Sequence, residues 1–230
     1  MEMLPHAPKV KRAVLDFENA LWQALAAIIP QVERKGCAFH FSQAVWRKAQ
    51  NIGLQPAYNA DVGTNRLIRR ILALTLLPAR NIRPLFKDLK AEASTPMLKK
   101  LFKYVNNTWI KAVNEPWSID NWSCYYLPIR INNDVEGWHA ALNKKGRSSF
   151  SFYLLVKHLH EESSLVPIQT RLISDNKLTR RRKNASVKLD EKLFSYWSDF
   201  DHGKIDARKL HKLVSHVYAP KKKKSIALTN

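Results

Sequence analysis

Cysteine is scarce: the 230 residues contain two, Cys37 and Cys124. Two thiols cannot build a disulfide framework, and such a chain fits a reducing compartment. No apolar run reaches the roughly 18 residues that a membrane span needs. The first ten residues, M-E-M-L-P-H-A-P-K-V, place no positive region ahead of an apolar core, which argues against a secretory signal. Acidic residues are few as well. Nineteen Asp and Glu stand against 39 Lys and Arg, a formal charge of +20. That balance points to nucleic acid or an anionic surface. Without a Lys-rich amphipathic helix to suit a membrane, nucleic acid leads. No internal repeat, zinc finger or helix-turn-helix pattern is present. What the chain does have is 45% apolar residues and seven Trp, enough for one substantial core and perhaps an appendage.

The pattern is α/β at the start. Lys11 to Phe17, K-R-A-V-L-D-F, reads as a strand ending at Asp16, and a helix follows with Leu21, Leu25 and Ile28 on one face, closed by Pro30. Gly36 to Phe41 reads as a second strand with Cys37, Phe39 and Phe41 on one side. Ser42 then caps a helix carrying Val45, Trp46, Ala49 and Ile52, with Gly53 at its stop. Strand–helix–strand–helix in this order implies a crossover unit.

From about Asn65 to Pro116 the texture is helical throughout, with apolar stripes at Leu67, Ile68, Ile71 and Leu72, at Ile82, Leu85, Phe86 and Leu89, and at Leu98, Leu101, Phe102, Val105 and Trp109. Trp109 and Trp117 read as packing within this segment. Trp122 to Ile131 regains strand character. It runs into R-I-N-N-D-V-E-G-W-H-A-A-L-N, where Val135, Trp138, His139 and Leu142 keep helical spacing and Trp138 falls on the apolar face. Phe152, Leu155, Val156 and Leu159 continue as helix, expected to lie on the sheet. A basic linker spans 176–188, and 189–230 reads as two short amphipathic helices with a basic tail.

Glu136 sits on the first turn of its helix, and two readings are open there. With Asn133 as N-cap it completes a capping box; alternatively, it is a catalytic carboxylate. Asp16 likewise is either an N-cap for the helix behind it or a ligand at a strand end. Cys37 and His40 form C-x-x-H, half of a tetrahedral zinc set, for which packing is the alternative. His139 suits either a cap or a phosphate contact.

Three ordered signatures, A-V-L-D-F-E-N-A-L at Ala13 to Leu21, G-C-A-F-H-F-S-Q-A-V-W-R-K at Gly36 to Lys48, and R-I-N-N-D-V-E-G-W-H at Arg130 to His139, together resemble the MULE (Mutator-like element) transposases of the DDE group. The resemblance covers roughly residues 8–175, with a helical insertion at about 65–116. It implies a partial ribonuclease H-like fold, with its first strands and its first catalytic Asp upstream of anything in this sequence. It also implies that Asp16 and Glu136 match the second and third acids, which would hold Mg²⁺ or Mn²⁺ at a phosphodiester. The expectation is a catalytically incomplete chain, a fragment or domesticated remnant, acting on DNA such as transposon ends in the nucleus, and able to pair with itself.

Candidate nucleic-acid contacts are Arg47, Lys48, Arg69, Arg70, Lys144, Lys145 and Arg147, then the run Arg180, Arg181, Arg182 and Lys183. Arg66, Lys99 and Lys100 add to the scatter, and Lys221 to Lys224 form a second run, either a nuclear-import signal or further DNA contacts. A non-enzymatic basic protein binding DNA or RNA is the rival reading.

Overall fold

Backbone pairing begins with two parallel strands, β1 (Arg12–Leu15) and β2 (Glu33–Gly36), joined through helix α1 (Asn19–Ile28) in the computed structural model. The model describes residues 10–114, 116–145, 151–177 and 184–217. Arg12 faces Glu33 and Leu15 faces Gly36, and Cys37 N donates to Leu15 O at 2.7 Å to extend the ladder. Helices then follow: α2 (Ala38–Asn51), α3 (Gln55–Ala60), α4 (Val62–Leu72), a 3₁₀ turn (Ala73–Leu76), α5 (Ala79–Ala91) and α6 (Pro96–Val105). Next come a π-turn (Asn106–Ile110), α7 (Ile119–Trp122), α8 (Asn133–Lys145), α9 (Phe152–Ser174), α10 (Asn184–Asp201) and α11 (Ala207–Val214). Among the described residues 71% are helical and the sheet is two-stranded, so α/β describes the fold only in the coarse sense.

The chain divides into two compact units. One takes in Lys11–Ile131 and the stretch from Lys188 onward; the other is built on Asn132–Val187.

The larger unit owns the main core. Ile68, Ile71, Ile82, Leu89, Leu101, Phe102 and Val105 are fully buried there, the stripes that helical periodicity marks out. Fully burying one such side chain is worth about 1.5–3 kcal/mol. Helices α10 and α11 enter the same core through Leu193, Trp197, Leu210 and Val214, and Trp197 Nε1 donates to Leu76 O at 2.8 Å. Aromatic rings join the sheet to the helices. Phe41 stacks on Trp122 at 4.9 Å between centroids, and Trp109 meets Phe41 at 4.8 Å and Phe17 at 4.6 Å edge-on.

Several expectations are corrected here. The second strand is Glu33–Gly36, and Phe39 and His40 lie in α2 instead. Cys37, Phe41, Val45 and Ala49 recur every four residues and are all buried, so a helical stripe wins over the period-two reading of Cys37, Phe39 and Phe41. Phe39 is left exposed, and the cap is Cys37, not Ser42. On α1 the buried residue is Trp22, while Leu21 and Ile28 are exposed. Gly53 does follow α2 with φ +79°, the left-handed stop for which glycine is suited.

Residues 123–132 form no strand. Their polar groups are taken singly: Cys124 N donates to Thr75 O, Ser123 Oγ to Leu77 O, and Arg130 O accepts from Ala38 N. Tyr126 at φ 57° interrupts any extended run.

In the smaller unit, α8 starts one residue earlier than a cap at Asn133 allows, because Asn132 O already accepts from Val135 N and Glu136 N. Trp138 is exposed rather than core, and its Nε1 donates to Glu162 at 3.2 Å. Helix α9 forms as expected but buries none of its residues, and Phe152 and Val156 are exposed.

Candidate functional site

Asp16 immediately follows β1, and its surroundings fix it from three sides. The ladder to β2 holds Leu15 in front of it. Behind it, Phe17 is wedged over Gly36 and against Trp109, and Asp16's own carbonyl accepts from Trp22 Nε1 at 2.6 Å. Its carboxylate faces α2, where His40 on the first turn brings Nδ1 to 2.9 Å from Oδ1. Both side chains keep solvent access, 41% for Asp16 and 22% for His40. Asp16 is not the N-cap of α1: that position is Glu18, whose side chain makes no cap bond.

A carboxylate 2.9 Å from an imidazole at the carboxyl end of a strand offers one hard oxygen donor and one nitrogen donor. Hard Mg²⁺ prefers oxygen alone, whereas Mn²⁺ and Zn²⁺ accept imidazole. The donor set around Asp16 therefore fits Mn²⁺ better than Mg²⁺.

Glu136 belongs to the other unit, exposed on the first turn of α8 beside Asp134. A carboxylate there complements the positive end of the helix.

Cys37 is fully buried at the start of α2, and Cys124 is buried with its Sγ donating to Gly36 O at 3.6 Å. Burial, together with the neighbouring Cys37 thiol, pushes the Cys124 thiol up to about 12. Among the described residues Cys37 belongs to no group of three or more ligating side chains, and His40 is engaged by Asp16. The C-x-x-H spacing is thus used for packing on one side and for the Asp16 pair on the other.

Of the basic candidates, Arg47 is exposed on α2, and Lys48 lies over the Tyr104 ring at 5.6 Å from its centroid. Lys48 also borders a shallow depression with Lys100 and Lys103. Lys145 is paired with Glu162 at 2.6 Å at the end of α8, next to exposed Lys144. Arg69 and Arg70 line a cavity against α11. Arg147, Arg180, Arg181, Arg182, Lys183 and Lys221 to Lys224 lie outside the described residues. Sequence reading missed the basic side chains of α11 as site residues, although G-K-I-D-A-R-K-L-H-K carries the signal: a capping Asp206 followed by cations at helical spacing.

No family model matches the chain, and no curated protein or solved structure matches it either.

Proposed function

We propose that this chain is a DNA-binding protein derived from MULE-type DDE transposases, in which Asp16 and Glu136 are ligands for a divalent cation that engages a phosphodiester. On this reading the α/β unit is the remnant of a ribonuclease H-like sheet, and the protein works in the nucleus. The observation that carries the reading is the setting of Asp16: a carboxylate held at the carboxyl end of β1, open to solvent, with His40 Nδ1 at 2.9 Å as an added donor. Glu136 joins it on the strength of the R-I-N-N-D-V-E-G-W-H signature. A cation there would screen backbone charge and polarise a phosphoryl oxygen. The excess of basic residues supplies affinity for the polymer.

Mn²⁺ binding to the purified chain, followed by electron paramagnetic resonance, tests this. Asp16→Asn and Glu136→Gln should each weaken binding at least tenfold, while His40→Gln should shift the preference from Mn²⁺ towards Mg²⁺. Unaltered Mn²⁺ affinity in both acid variants would sink the proposal.

One observation supports a second reading. His40 Nδ1 stands 2.9 Å from Asp16 Oδ1 as an ion-pair contact, so Asp16 can serve structure while the basic surface alone binds nucleic acid. Duplex binding that is unaffected by Mn²⁺ and by both acid substitutions would favour it.

A further inference from the structure

Helix α4 places Arg66, Arg69 and Arg70 at i, i+3 and i+4, on the face opposite its buried Leu67, Ile68 and Ile71. Helix α11 does the same with Arg208, Lys209 and Lys212, opposite buried Leu210 and Val214. Both stripes line one cavity of about 640 Å³ within the larger unit.

The charges do not cancel. Glu92 reaches Arg70 at 3.2 Å and Arg66 at 3.5 Å, and Asp88 reaches Arg208 at 2.9 Å. Six cations therefore face two carboxylates, an excess of four. Lys209 and Lys212 have no ion pair among the described residues. Arg69 is oriented by donating to Ser215 O at 3.1 Å and to His216 Nδ1, so one guanidinium is pre-set at the cavity wall. His216 reports the same field. Partial burial first, then Arg69, Lys192 and Lys212, hold its pKa below the ordinary range.

Like charges gathered this closely repel one another, and an anion relieves that cost. A single phosphate is far smaller than this space, and the cations come from successive turns of two helices. Consecutive phosphates of a polymer suit both features, and Arg forks hold them with two hydrogen bonds each.

We propose that the cleft between α4 and α11 seats the sugar–phosphate backbone of DNA, with Lys209 and Lys212 on one wall and Arg66, Arg69 and Arg70 on the other. This deepens the DNA-binding reading above and rests on it. It assigns backbone positioning, which carries no base sequence by itself.

The test is fluorescence anisotropy of a short labelled duplex against a salt series. Lys209→Gln/Lys212→Gln is compared with Lys11→Gln/Lys111→Gln, the same charge change at exposed positions elsewhere in the unit. Removing two phosphate contacts should lower the slope of log K against log salt by about two and reduce affinity at 100 mM salt by roughly tenfold to a hundredfold. The control pair should change affinity less than about threefold, and both variants should keep the parent's thermal midpoint. Equal losses in the two variants, or an unchanged slope, would overturn the cleft while leaving DNA binding intact. A parent chain that binds no duplex would overturn both. Tighter binding of a structured RNA, with the larger loss on cleft substitution, would transfer the site from DNA to RNA.

Discussion

Asp190 is the residue whose removal the structure prices most clearly. It sits on α10 with its side chain 12% exposed, facing Arg130 Nη2, whose side chain is 5% exposed. Arg130 also donates Nη1 to Leu127 O at 2.7 Å and lies over the Trp197 ring at 5.9 Å from its centroid. The pair therefore ties α10 to the segment before α8, next to the Ala38 N to Arg130 O bond at the start of α2. A contact between unit charges is worth about 4 kcal/mol at an effective dielectric of 20, and breaking a buried pair costs about 3–5 kcal/mol because the remaining charge stays buried. Asp190→Leu alone should lower stability by that amount, a fall in Tm of about 6–20 °C for a chain of this size. Arg130→Met/Asp190→Leu together should recover most of it, since an apolar pair of similar volume is often neutral. Thermal and urea unfolding followed by Trp fluorescence supply the four corners of the cycle. Single variants within about 1 kcal/mol of the parent, or a double variant that is the sum of the singles, would refute the reasoning.

Other consequences follow from particular contacts. His211 is buried, with Nε2 2.6 Å from Arg70 O, and burial is the main cause that lowers its pKa to about 4. The unfolded chain takes up that proton near pH 6.5, so stability is full above that value and should fall by roughly 3 kcal/mol as pH drops towards 4. His211→Gln should flatten urea-midpoint data across that window; an unchanged slope would contradict the assignment. A Cβ at Gly36 would lie 2.5 Å from Phe17 Cζ, which Trp109 holds in place, so Gly36→Ala should cost about 1–3 kcal/mol and weaken Mn²⁺ binding by shifting Asp16. A variant with the parent's urea midpoint and Mn²⁺ affinity would show that Phe17 yields freely. Trp197→Ala removes a fully buried ring and the bond to Leu76 O, and should cost about 3–5 kcal/mol in the same unfolding assay. A loss under about 1 kcal/mol would show that α10 does not belong to the core.

Much of the helical framework was legible from spacing. Leu98, Leu101, Phe102, Val105 and Trp109 announce a buried helical stripe, and all are buried. Asp16 at a strand end was equally legible, because R-A-V-L is a short apolar run with an acid behind it. The second strand was not. Glu33, Arg34 and Lys35 carry no apolar alternation to mark a strand, yet they pair with β1, with Glu33 meeting Arg12 at 2.6 Å and Lys35 reaching Asp120 O at 2.8 Å. Trp138 and α9 failed in the opposite sense, since apolar character marks what can be buried without saying that a partner surface exists.

By itself, then, the sequence determined where helices form, because a stripe at 3.6-residue spacing is a local property of the chain. It also determined the charge excess. Only the tertiary structure decided which charges meet: His40 with Asp16, Arg130 with Asp190, and the cations of α4 with those of α11. Such encounters depend on how a shared core brings distant helices side by side, and no local spacing encodes them.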